Sequence, residues 1–141
     1  MRLLGLDLGG RRIGVAVSDP NQVLARSVEV IERRSNEEDF EAIARLAREY
    51  EVEAIVVGYP RRLNGTAGKE ARKVEAYVAQ VKERLKIPII FWDERLTTVR
   101  AARARAEAGK KRPRSGLDAA AAAAILQGYI DYLRRDEQKG P

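Results

Sequence analysis

At 141 residues the chain has room for one domain with a sizeable core, and no run in it approaches the roughly 20 apolar residues that span a bilayer. It contains neither cysteine nor histidine, which excludes disulfides, thiol chemistry, Ser–His–Asp catalysis and the usual zinc sites. The net charge of +6 is concentrated: residues 95–115 carry eight basic side chains against Glu107 alone, while the other 19 basic and 20 acidic residues nearly cancel. Such a local excess reads as a polyanion-binding segment, or more plainly as a solvated basic helix and loop.

In chain order, Leu3 to Asp19 predicts two strands joined by a tight turn at Gly9-Gly10. Asp7 is a lone carboxylate inside the first apolar run. An isolated charge in a low-dielectric place costs several kcal/mol or more, so it is normally paired, hydrogen-bonded or bound to a metal. Gly9, Gly10 and Gly14 strip side chains from the backbone around it, which lets something large approach. Arg11 and Arg12 make the turn cationic. Two readings stay open: a metal ligand whose cation holds a phosphate, or a buried aspartate satisfied by turn amides.

Gln22 to Glu32 predicts a third strand after the turn Asp19-Pro20-Asn21, so the chain opens as an antiparallel meander. Ser35-Asn36-Glu37-Glu38 is a capping pattern for a helix to about Tyr50, with Phe40, Ile43, Ala47 and Tyr50 as its apolar stripe. Ala54 to Gly58 is a short apolar run of the kind buried on both faces of a parallel sheet. A polar loop with Arg61, Arg62 and Asn64 follows, and Thr66 is placed to cap a helix running to about Leu85. Ile87 to Phe91 predicts a fifth strand, ending at Asp93-Glu94-Arg95-Leu96-Thr97-Thr98. Sites in α/β folds gather at the carboxyl ends of such strands. Asp93 or a threonine there has a plain use as a helix cap; Glu94 has less of one.

A helix over about 98–108 would carry Arg100 and Arg103, and Gly109 can stop it. Then come the basic loop Lys110-Lys111-Arg112-Pro113-Arg114 and a last helix through Ala119–Ala124 and Ile125 to Leu133. Asp118, Ile125, Tyr129 and Tyr132 are expected on its inner face, although Ser115-x-x-Asp118 is also a capping pattern. The expected whole is one domain over residues 1–135 with a charged tail at 136–141. Three antiparallel strands followed by two parallel ones give a mixed five-stranded α/β sheet flanked by helices. Asp7, Glu94 and Asp118 converge if the first, fourth and fifth strands are neighbours. Three carboxylates at one spot repel unless a cation sits among them. One or two Mg2+ or Mn2+ ions suit such hard oxygen ligands, and a metal pair bridged by a phosphate is a standard device for phosphodiester cleavage.

Gly5-Leu6-Asp7-Leu8-Gly9-Gly10-Arg11-Arg12-Ile13-Gly14 resembles the opening motif of the YqgF/RuvX family. Asp93-Glu94-Arg95-Leu96-Thr97-Thr98 resembles its second motif, and Asp118-Ala119-Ala120-Ala121 with Ile125-Leu126-Gln127 its third. The likeness spans nearly the whole chain. It implies an RNase H-like fold and a metal-dependent nuclease that matures the small-subunit rRNA precursor, or else resolves Holliday junctions in DNA. The family's acidic positions fall on Asp7, Glu94 and Asp118. Where other RNase H-like resolvases carry an acid near the end of the fourth strand, this chain has Gly58-Tyr59-Pro60, so the middle ligand must come from Glu94. Arg11, Arg12, Arg95, Thr97, Thr98, Lys110, Lys111, Arg112 and Arg114 are the expected nucleic-acid contacts. Structured RNA is the expected partner, branched DNA the alternative, and a non-catalytic assembly factor a second alternative. A cytoplasmic monomer or weak homodimer, working on a pre-ribosomal particle, completes the expectation.

Overall fold

The structure, a computed structural model, describes residues 2–60, 67–94 and 114–138, with side chains in the last stretch from 120 to 135. Three strands come first, β1 (Arg2–Leu8), β2 (Arg12–Ser18) and β3 (Ala25–Glu32). There follow α1 (Asn36–Glu49), β4 (Val52–Tyr59), α2 (Lys69–Arg84), β5 (Ile89–Asp93) and α3 (Arg114–Gln138). The strands form one sheet in the order β3-β2-β1-β4-β5. β1–β2 and β2–β3 pair antiparallel, β1–β4 and β4–β5 parallel, as the pattern of short turns and long crossovers predicted. The helix expected over 98–108 lies outside the described residues. Among those described, no helix is long and apolar enough to cross a membrane.

Alternation along the strands builds two different cores. One face carries Leu4, Leu6, Ile13, Val15, Val17, Ile55 and Val57, packed with Phe40, Ile43 and Leu46 of α1 and Val74, Tyr77 and Val78 of α2. The other carries Leu3, Ala16, Ala54, Val56 and Trp92, packed with Ala121, Ala122, Ile125, Leu126 and Ile130 of α3. Small residues on this second face let α3 lie against the sheet backbone. A Cβ on Gly5 would stand 2.8 Å from Leu126 Cβ and 3.2 Å from the Ala122 carbonyl oxygen, too close to fit without displacement. Gln127 fixes the helix lengthwise: its Oε1 accepts from the Ala25 amide at 2.8 Å, and its Nε2 donates to the Val23 carbonyl at 3.0 Å.

Four local expectations need correction. β3 starts at Ala25 instead of Gln22, because the Asp19 carboxylate takes the amides of Asn21, Val23 and Leu24 and holds them in a loop. α2 begins at Lys69 with Gly68 at its cap and no side-chain cap bond; Thr66 lies outside the described residues. β5 begins at Ile89 after Pro88, whose carbonyl accepts from the Ile55 amide at 2.9 Å, and it runs on through Asp93. Tyr132 is 47% exposed instead of inward, at the sheet's edge, where its ring packs on Trp92 at 5.6 Å. Ser35 does cap α1, accepting from the Glu38 amide at 3.2 Å.

Candidate active site at the carboxyl ends of the central strands

β1 presents Leu3, Gly5 and Asp7 in alternation to the α3 face, which puts Asp7 at the carboxyl end of the central strand. It is 5% exposed. Its neighbours across the sheet are bare backbone. Asp7 pairs with Gly14 of β2, and on β4 the register continues from Leu6–Val57 to Gly58. β5 is one strand further out and pairs Trp92 with Gly58. Glu94 follows its end and is also 5% exposed.

Strands two places apart are separated by about 10 Å of backbone. Glu94 shortens that gap by folding its carboxylate back over β4. A Cβ on Gly58 would stand 2.8 Å from Glu94 Oε1 and 2.5 Å from Ile125 Cδ1. The glycine therefore vacates the space that the carboxylate occupies. Asp7 and Glu94 thus share one end of the sheet and one face, with Gly58 between them. Gly58 is a site-shaping residue that the sequence reading treated only as the place of a missing acid.

α3 runs antiparallel to β1: Ala122 and Leu126 lie over Gly5, and Gln127 lies near the start of β3. Position 118 is one helical turn before Ala122, about 6 Å towards the carboxyl end of β1. Asp7 is two residues beyond Gly5, about 6.6 Å in the same direction. The backbone of α3 therefore stations residue 118 over the end of β1 that carries Asp7. The Asp118 side chain lies outside the described residues, and among those described no group of three metal-ligating side chains forms.

The glycine turn has a tight hydrogen bond from the Gly9 amide to the Arg12 carbonyl at 2.9 Å, and a Cβ on Gly9 would stand 2.6 Å from that oxygen. Of the two turn arginines, Arg12 is ion-paired to Glu32 at 2.9 Å, and Arg11 is exposed. The expected contacts Arg95, Thr97, Thr98, Lys110, Lys111 and Arg112 lie outside the described residues, as does the Arg114 side chain at the start of α3.

On the opposite face lies a polar network that the apolar stripe of α1 gave no sign of. Arg33 donates from Nε to Asp39 Oδ2 at 2.9 Å, from Nη1 to the Gly9 carbonyl at 2.9 Å and from Nη2 to Asn36 Oδ1 at 3.2 Å. Its own amide donates to the Arg11 carbonyl at 2.9 Å. Asp39 is 1% exposed, and the Tyr77 hydroxyl donates to it at 3.4 Å. Burial and the Asp39 charge push the Tyr77 phenol well above its ordinary pKa. Both sides of Arg33, backbone and guanidinium, thus pin the turn that follows Asp7. In the sequence Asp39 is only one more acid in a helix's first turn, where acids are ordinary.

The family model RuvX, described as Holliday junction resolvase, matches residues 1–132. Relatives named "Putative pre-16S rRNA nuclease" include one from Thermoanaerobacter pseudethanolicus, 46% identical over 134 residues and covering 93% of this chain and 96% of that one. Another, from Clostridium novyi, is 47% identical over 135 residues, covering 94% of this chain and all of its own length. The fold is also that of Thermus thermophilus RuvC, solved with a Holliday junction substrate, at a TM-score of 0.62 and 16% identity over 96% of both chains. Fowlpox virus resolvase, solved with Holliday junction DNA, matches at a TM-score of 0.59 and 11% identity, covering 94% of this chain and 99% of that one. The sheet order is that of RNase H-like resolvases, the glycine turn, Glu94 and α3 sit where the three sequence motifs fall, and the chain belongs to the RuvX family.

Proposed function

We propose that this protein is a metal-dependent nuclease that hydrolyses phosphodiester bonds in structured nucleic acid, with the small-subunit rRNA precursor as its substrate. The observation that carries this is the burial of two carboxylates, Asp7 and Glu94, at one end of one sheet face, with a glycine between them whose missing side chain makes the space that Glu94 Oε1 fills. Residues 1–135 make up the nuclease domain, with 136–141 a charged tail. The reading puts the protein in the cytoplasm, on a pre-ribosomal particle, as a monomer or weak homodimer.

The donor set fits a hard divalent cation. Both buried groups are carboxylates, and the chain has no imidazole or thiolate to compete for a softer metal. Asp7, Glu94 and Asp118 would hold one or two Mg2+ or Mn2+ ions, which when bound supply charge stabilisation at the phosphate and an activated water. The chain's own residues do the rest. Gly14 puts no side chain opposite Asp7 on β2, and Gly58 makes the room that the Glu94 carboxylate takes beside it. Arg11 reaches backbone phosphates from the turn. The basic residues of 95–115, with Arg95, Lys110, Lys111, Arg112 and Arg114 among them, supply affinity without reading base sequence.

A second reading, resolution of four-way DNA junctions, uses the same chemistry and is favoured by the fold shared with the two resolvases. It needs two sites acting together, hence a dimer. One experiment separates the readings: cleavage of a labelled rRNA precursor and a labelled four-way junction, each with Mg2+, Mn2+ or EDTA, with Asp7→Asn as control. The expected result is metal-dependent cutting of the RNA, reduced at least a hundredfold in the variant, since even outer partners of metal ligands are worth about 10–100-fold. Cutting of the junction alone establishes the second reading. Salt-sensitive binding to both with no cutting makes the protein a binding factor.

A further inference from the structure

Behind the glycine turn, on the sheet face away from Asp7, opens a cavity of about 260 Å³. Leu8 and Val74 form its apolar floor, Gly9 and Gly10 one wall, and Glu70 and Lys73 its rim. Protein interiors are close-packed, and a small domain gains nothing from a gap between a turn and a helix. This one is held open. Arg33 ties the Gly9 carbonyl to the buried Asp39, and its guanidinium stands 5.0 Å from the centre of the Tyr77 ring. That arginine gives three of its five N–H groups to the wall, and its charge is paired with the buried Asp39.

Gly10 points to an occupant. A Cβ there would meet nothing within 4 Å, and its backbone is not in the left-handed region. Among the described residues no packing contact asks for glycine at that position, and the bare backbone there lets another molecule approach closely. The rim sets the occupant's chemistry. The Glu70 carboxylate accepts, and the Lys73 ammonium, 3.9 Å away, donates. Both side chains are more than two-thirds exposed and so are free to turn to a ligand. A flat molecule with apolar faces and an edge of mixed donors and acceptors fits this arrangement. Guanine matches best: lysine suits its O6 acceptor, and a carboxylate suits its N1–H and N2–H donors.

We propose that this cavity receives one unpaired nucleobase, guanine by the chemistry of its rim, from the strand whose backbone crosses the turn at Gly10. That the base belongs to a substrate strand rests on the nuclease reading above; the binding of the base does not. The test is titration of the 15N-labelled full chain with GMP, CMP and ribose 5-phosphate, following the amides of Gly9 and Gly10 and the Arg33 Nε–H by NMR. GMP is expected to shift all three and to bind roughly tenfold tighter than CMP, the discrimination one well-paired base edge gives. Ribose 5-phosphate should leave them in place. Val74→Phe fills the floor and should abolish the shifts, and Glu70→Gln, on an exposed side chain that the fold does not need, should weaken GMP roughly tenfold. Equal shifts with ribose 5-phosphate, or shifts undiminished in both variants, overturn the proposal; GMP binding no tighter than CMP overturns the guanine assignment. Absent shifts in a protein whose cleavage still depends on Asp7 refute the cavity alone. GMP binding by a protein that cleaves neither substrate refutes the nuclease alone.

Discussion

The two faces of the sheet are made by the same strands and do opposite work. The face under α1 and α2 is filled by Leu4, Leu6, Ile13, Val15, Val17, Ile55 and Val57. The face under α3 is thinner along its middle: Leu3, Val56 and Trp92 pack there too, but Gly5, Asp7, Ala16, Ala54 and Gly58 stand among them. Large side chains on one side supply burial and hold the fold. Small ones on the other side give up burial and let α3 lie against the backbone of β1 at Gly5 and of β4 at Gly58. The two-residue period of the strands thus separates the filled core from the face that carries the buried acids, so that adjacent residues such as Leu6 and Asp7 stand in different surroundings.

Adjacent substitutions test the separation directly. Asp7→Asn or Glu94→Gln should remove cleavage, with little loss of folding stability in a urea melt. Leu6→Ala, one residue away and 1% exposed, should cost about 2–5 kcal/mol in the same melt. Near-equal stability losses for Asp7→Asn and Leu6→Ala would break the comparison. Gly58→Ala sharpens it, because its methyl enters the space of Glu94 Oε1 and Ile125 Cδ1. It should cost about 1–3 kcal/mol and lower cleavage by more than that loss of folded protein explains. Replacing Arg112 and Arg114 with alanine should leave the melt unchanged and weaken nucleic-acid binding. The slope of log affinity against log salt should fall by roughly one for each phosphate contact removed.

The smallest expected effect is at Asp19. Amide hydrogen bonds, from Leu24 first and then Val23, hold its carboxyl below the ordinary aspartate value. The ionised form is therefore favoured in the folded state. Its stabilising contribution is complete above the unfolded pKa of about 4 and is lost as pH falls through the lower folded value. The stability difference between the native chain and Asp19→Asn should accordingly narrow on acid titration below about pH 4.

Much of the fold is legible in the sequence. A lone Asp7 in an apolar run and Glu94 past a strand end are chemical anomalies, and anomalies are readable in sequence. The mixed sheet followed from turn chemistry and hydrophobic period. The start of β3 did not, because Asp19 captures three amides ahead of it and propensity does not register such bonds. The role of Gly58 was hidden because a glycine shows its use only when something else occupies its missing side chain. Arg33, Asp39 and Tyr77 come from three separate segments, and none is unusual where it stands in the sequence.

Gln127 of α3 grips the backbone at Val23 and Ala25, more than a hundred residues earlier in the chain. During synthesis, β1, β2 and β3 leave the ribosome and can pair well before the helix that covers them exists. At about 5–20 residues per second the wait lasts several seconds or more. Throughout that interval the Asp7 face of the sheet has no lid and residue 118 has not been made. The α3 face of the sheet is therefore covered as a late folding event, after the meander, and a nascent chain carries Asp7 on its strand well before the helix that packs over that face exists.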